Sequence, residues 1–313
     1  MEVWFRALIL VVCIPAVLAV AASGAIAAMP TLGVGEQKPE LFSDSRWKRL
    51  GLRDVRYITP WDTLQDPVQL ARLDRWMAAA RAARARVLLG FAHSLRSERL
   101  ARTLPTLRQF RLQFLRIRAR YPEVRSWIVW SEANHPGALT GKRPRRAARF
   151  FDVVASHCRR CDVVAADVLD VAGMDSWIRR FQRHARHRPR IWGLHNYADA
   201  NGFKTQGTQT LLALTRGRIW FTETGGLVLR RLYRGTRALR TYRYSLHHAA
   251  RATGHVLRLS CLSRRIRRVY LYHWQAPLVV TNWDSAFLGP HGALRPAYRT
   301  LTRWIRRGSC PTA

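Results

Sequence analysis

Two glutamates each stand directly after an apolar, aromatic run: WIVWSE from Trp127 ends in Glu132, and RIWFTE from Arg218 ends in Glu223. In a chain with 54 Lys and Arg against 19 Asp and Glu, a carboxylate at such a position is unusual. Runs this rich in aromatic and β-branched residues read as strands buried on both faces, so each glutamate sits where a strand leaves the core. Two carboxylates brought together at strand ends have the composition for glycosidic-bond chemistry. One protonates the leaving oxygen while the other attacks the anomeric carbon.

The elements that would position them recur along the whole chain. Apolar runs begin at Thr31, Val55, Arg86, Trp127, Asp162, Arg190, Arg218 and Arg268. Helical patterns lie between them at Val68 to Arg84, Thr106 to Arg120, Arg145 to Ser156, Met174 to His187 and Tyr242 to Ala252, and a last helix follows Leu294 with Pro296 in its first turn. Strands alternating with helices over this length predict a closed (β/α)8 TIM barrel, with an open doubly wound sheet as the alternative. In such a barrel the residues ending the strands line the mouth. They are Glu36, Asp62, His93, Glu132 with Asn134, Asp167, His195 with Tyr197, Glu223, and His273 with Trp274 and Gln275. Asp62 and Asp167 also read as caps of the helices that follow them.

The first 28 residues read as an export signal: Arg6 precedes an apolar stretch from Ala7 to Ala22, and Ala25 to Ala27 forms a small-residue cleavage pattern. An uncleaved anchor is the alternative. Residues 29–313 then form one domain of barrel size. Export makes disulfides the natural state of Cys158, Cys161, Cys261 and Cys310. The favoured pairs are Cys158 with Cys161, close together between a helix and a strand, and Cys261 with Cys310, which flank the last barrel unit. Zinc at CRRC lacks a second pair of ligands at matching spacing, and there is no dinucleotide or phosphate loop, so neither metal nor cofactor is expected.

The formal net charge of +35 raises nucleic acid as a partner, but the cations are scattered along helices and no nucleic-acid-binding signature is present. A solvated basic exterior is the expectation, with association with an anionic cell envelope as its corollary and a monomeric state.

VWSEANHPG and IWFTETGG resemble the acid/base and nucleophile motifs of the clan A glycoside hydrolases, and HNY at His195 to Tyr197 and YHWQAP around Trp274 resemble that clan's sixth- and eighth-strand motifs. The resemblance spans the chain after the signal. It implies a retaining hydrolase secreted or held at the envelope and acting on a carbohydrate, with Glu132 as acid/base and Glu223 as nucleophile. It further implies that Tyr197 bonds the nucleophile and that Trp274 floors the sugar site, while Asn134, His195 and His93, as strand-end residues, are expected in the substrate site, with core-edge histidines satisfied by backbone as the alternative for the last two. Ser131 stands where the clan has asparagine and Ala133 where it has proline, which weakens recognition of a sugar 2-hydroxyl and leaves an inactive glycan-binding barrel as the rival reading. The carboxyl of Glu132 is expected to titrate high, raised by its apolar wall and by Glu223.

Overall fold

The computed structural model describes residues 29–234, 237–279 and 282–311, and the segment expected to direct export lies outside them. Seven parallel strands come first: β1 (Thr31–Gly35), β2 (Asp54–Pro60), β3 (Arg86–Ala92), β4 (Ser126–Ile128), β5 (Asp162–Leu169), β6 (Ile191–His195) and β7 (Arg218–Thr224). An antiparallel hairpin of β8 (Leu229–Arg234) and β9 (Arg237–Tyr242) intervenes before β10 (Ile266–Tyr272), the eighth barrel strand. The barrel closes in the order β1-β10-β7-β6-β5-β4-β3-β2, as a TIM barrel does, and the hairpin pairs instead with the short β11 (Trp283–Asp284).

The helix Leu107–Arg120 shows how the sequence builds the outer layer. Thr106 and Gln109 form a reciprocal capping box at its start. Phe110, Phe114 and Ile117, at three- and four-residue spacing, turn one face to the sheet. Phe114 meets Trp127 of β4 edge-on at 5.2 Å and Phe110 packs at 4.5 Å from Phe150 of the next helix. The Tyr121-Pro122 step then disfavours further helix. Inside the barrel, Leu88, Ile128, Val164, Ile191, Trp220 and Tyr270 form a separate packed layer. Gly90 packs beside that layer: a Cβ there would stand 2.9 Å from the Ile128 Cβ and press on the end of Ile58, so a larger residue would force both to shift.

The N-terminal end of the barrel is held by ion pairs between strands, one between neighbours and two reaching across the barrel opening. Asp54 pairs with Arg86, while Asp162 accepts from Arg218 at 2.9 Å and from Arg268 at 3.1 Å. The Arg268 guanidinium also lies 4.0 Å over the Trp220 ring.

All eight apolar runs form barrel strands, but the stretch between β7 and β10 departs from expectation. Tyr242 ends β9 instead of opening a helix, and the helix spans Leu246–Leu259, capped by the Ser245 hydroxyl accepting from the His248 N–H. Both expected cysteine pairs are disulfides, with Cα separations of 5.3 Å for Cys158–Cys161 and 5.8 Å for Cys261–Cys310.

Candidate active site

A cavity of about 400 Å³ opens at the C-terminal ends of the strands, and both Glu132 and Glu223 line it. The two carboxylates reach it differently. Glu223 is part of β7, opposite His195 in the register between β6 and β7. Glu132 follows the end of β4 in a turn, with a φ of +52° that few non-glycine residues adopt. Its neighbours fix that turn: Ser131 N–H donates to Phe91 O of β3 and Ala133 N–H to Asp167 O of β5, each at 2.7 Å. The backbone on either side of Glu132 is therefore tied to both flanking strands, which aims its carboxylate at the mouth.

Both Glu223 oxygens are engaged. Oε2 accepts from Arg56 Nη1 at 2.6 Å and Oε1 from the Tyr197 hydroxyl at 3.1 Å. Arg56 is wholly buried on β2 and also approaches Asp167 of β5 at 3.7 Å. Asp167, fully buried, bonds His195 Nε2 at 2.9 Å and accepts from the Thr222 hydroxyl. Gly193 makes room for it, since a Cβ there would lie 2.5 Å from Asp167 Oδ1. On its other edge, His195 Nδ1 stands 3.6 Å from Glu132 Oε1, an ionic contact longer than a hydrogen bond. Five charged groups, Arg56, Asp167, His195, Glu223 and Glu132, thus form one continuous network from the buried barrel interior to the pocket.

The network sets the titration of its members. Burial disfavours the His195 imidazolium, but the Asp167 carboxylate and then Glu223 outweigh burial and raise its pKa to about 10. Burial likewise pushes the Glu132 carboxyl up, but the charged His195 ring 3.6 Å away holds it below the ordinary carboxylate value. The expected high titration of Glu132 is thereby overturned, because a cationic neighbour outweighs the apolar wall. Asp167 is also held low despite its burial, by His195 and then Arg56.

Other expected site residues are placed as follows. Ser131 Oγ turns inward, 3.3 Å from both Asp167 Oδ2 and Arg56 Nη2, so it belongs to the network and does not line the pocket. Asn134 clasps β5 by bonding both the N–H and the carbonyl of Leu169. His93 is exposed and outside the pocket lining. Trp274 is a correction: only 2% exposed, it donates its indole N–H to Asp44 at 2.9 Å and packs against Phe287 and Tyr298. Its polar neighbours suggested a wet position, but a buried acceptor satisfies its one polar atom. The aromatic rings that line the pocket are Tyr272, His273 and Trp283. Trp283 is held by a 4.8 Å edge contact with Tyr197 and by Arg230 of the hairpin lying 5.2 Å over its ring.

Sequence reasoning missed Arg56, and it placed Asp167 among the strand ends lining the mouth with helix capping as the alternative. The available signal for Arg56 was an arginine in the middle of the apolar run VRYIT. Glu36, the acid ending β1, accepts four backbone N–H groups, from Gln37, Lys38, Trp274 and Gln275, and so ties the first and last strand loops together at the pocket rim.

No protein-family model matches the chain, and no curated protein sequence does. Solved structures do share its fold. A GH5_18 protein from Streptomyces cattleya in complex with GlcNAc superposes with a TM-score of 0.62 at 16% identity, covering 91% of this chain and 83% of its own. Native xylanase 10B from Thermotoga maritima gives 0.62 at 9% identity, covering 89% and 95%. A GH128 endo-β-1,3-glucanase from Amycolatopsis mediterranei in complex with laminaritriose gives 0.53 at 14% identity, covering 88% and 99%. At these identities the likeness is one of fold.

Proposed function

We propose that this chain is an exported retaining glycoside hydrolase in which Glu223 is the nucleophile and Glu132 the acid/base. The observation that carries the reading is the unequal support of the two pocket carboxylates. Both oxygens of Glu223 accept hydrogen bonds, one from a buried guanidinium, which aims the group for attack. Glu132 has a side chain 43% exposed and faces a proton-bearing ring, so it can both give and take a proton.

Until a sugar binds, the proton of this pair resides on His195. A sugar entering the pocket excludes water, which favours neutral Glu132. The long Nδ1 to Oε1 contact then shortens and the proton passes to the carboxyl, while His195 keeps its Nε2 contact with Asp167. Attack by Glu223 on the anomeric carbon breaks the glycosidic bond as Glu132 protonates the leaving oxygen, giving a glycosyl ester. Glu132, now ionised, takes a proton from water, which hydrolyses that ester with net retention.

The likeness in fold to glycoside hydrolases supports the carbohydrate substrate, and the two disulfides together with the apolar leader support export. The test is hydrolysis of a panel of oligosaccharides, with proton NMR of the first-formed anomer. Retention is expected. An inverted product would remove the nucleophile role, and inactivity on every substrate would favour the glycan-binding barrel.

A further inference from the structure

A second concavity, of about 780 Å³, lies on the outer wall between the starts of helices Leu107–Arg120 and Pro144–His157 and the body of helix Met174–His184. Seven Lys and Arg side chains line it and no carboxylate does. Two of the seven are locked in place. Arg146 donates to Pro105 O at 3.3 Å with its guanidinium 5.9 Å over Phe150, and Arg149 pairs with Asp152 at 3.3 Å. Asp152 has little capacity to spare, because its other oxygen accepts the N–H groups of Arg186 and His187. The remaining five, Lys142, Arg143, Arg145, Arg180 and Arg183, make no ion pair among the described residues. Some outer-wall arginines do find a carboxylate, as Arg81 does with Glu123 and Arg120 with Asp74, whereas no carboxylate lines this cleft.

Like charges crowded in a concavity repel one another, and only an external anion relieves that. We propose that this cleft binds an acidic polysaccharide carrying a carboxylate on each sugar unit. Arg180 and Arg183 are one helical turn apart, a Cβ spacing of about 5–6 Å that suits one acidic group per hexose, and Arg145 adds a third unpaired guanidinium from the adjoining helix. Guanidinium forks take carboxylates in bidentate fashion. No Phe, Tyr or Trp lines the cleft, so it lacks the stacking platform that single-stranded nucleic acid uses. The segment from Glu132 to Lys142 connects the pocket to the cleft along the chain. The choice of a glycan as occupant rests on the glycosidase reading above; the cleft itself does not.

The test measures binding of oligogalacturonate to the Glu223→Gln protein, so that hydrolysis plays no part. R145E/R180E/R183E, set against the equal charge reversal R303E/R306E/R307E on the exposed face of the last helix, is expected to weaken binding about tenfold or more while the control changes it less than about twofold. Equal losses from the two sets, undetectable binding by the parent at low salt, or tighter binding of duplex DNA or polyphosphate than of oligogalacturonate would each overturn the proposal. Turnover of a neutral glycoside by the same triple in a Glu223 background checks folding, and R145Q/R183Q replaces it if that protein does not fold. Binding without hydrolysis of any glycoside would sink the enzymatic reading and leave the cleft standing.

Discussion

The two ends of the barrel use the same residue types to opposite ends. At the N-terminal end, Asp162 meets Arg218 and Arg268 across the sheet in contact with water, with Arg218 47% and Asp162 25% exposed, and only Asp54, which Arg86 covers, is buried there. At the C-terminal end, Arg56, Asp167 and His195 are sealed from water, at 3% or less. Solvent screens the Asp162 pairs, so each of them contributes little. The second set is mutually dependent, since removing one partner leaves a buried charge uncompensated. The first set fastens strands together, whereas the second holds two carboxylates in different surroundings at the wall of the cavity.

The comparison can be broken or sharpened in order of expected effect. Glu223→Gln should lower hydrolysis by about four orders of magnitude or more while leaving the fold intact, because a nucleophile has no substitute; steady-state rates on an activated aryl glycoside measure it, and a loss below tenfold would contradict its role. Arg56→Met should destabilise by about 3–5 kcal/mol in urea unfolding, because Asp167 and Glu223 both lose their cation. A change under about 1 kcal/mol would mean the two ends do not differ as described.

The third test is pH. His195 has a folded pKa raised from 6.5 to about 10, so the folded state binds its proton more tightly than the unfolded one. Its contribution to stability is fully present below about pH 6.5 and lost as pH rises through about 10. Thermal melts across that window should show a decline that His195→Gln flattens; parallel curves would refute a charged ring. Glu132→Ala should harm substrates with poor leaving groups far more than aryl glycosides with good ones, and equal losses on both would deny it the acid role. The smallest effect belongs to the N-terminal end: Arg218→Ala should shift stability by no more than about 1 kcal/mol.

Much of this was legible in the sequence, for physical reasons that also mark where legibility stops. Buried parallel strands are apolar throughout, so all eight stood out, and the polar residue ending each run pointed to Glu132, Glu223, His195 and Tyr197. Arg56 stayed hidden because it points into the barrel from within a strand, where only partners on distant strands explain it, and Asp167, named as a strand end, showed nothing in the sequence of its buried contacts with His195 and Arg56. Ser131 and Trp274 were read from chain neighbours, yet their partners, Asp167 and Asp44, lie 36 and 230 residues away. The hairpin left a usable trace: LRRLYR and RALRTY, short runs mixing apolar and cationic residues around Gly235 and Thr236, suit paired edge strands better than a helix. That hairpin carries Arg230, which holds Trp283 at the pocket wall.

The Cys261–Cys310 bond closes a covalent ring over a sequence separation of 49. Threaded on that ring are β10, the pocket rim from Tyr272 to Trp283, and the final helix. Chain ends are where folded domains ordinarily begin to fray, and here the last strand is also the one whose pairing with β1 completes the cylinder. Tethering the tail removes that starting point. It restricts the unfolded chain by about 4 kcal/mol in loop entropy, and makes a reducing agent the reagent that would let the cylinder unzip from its seam.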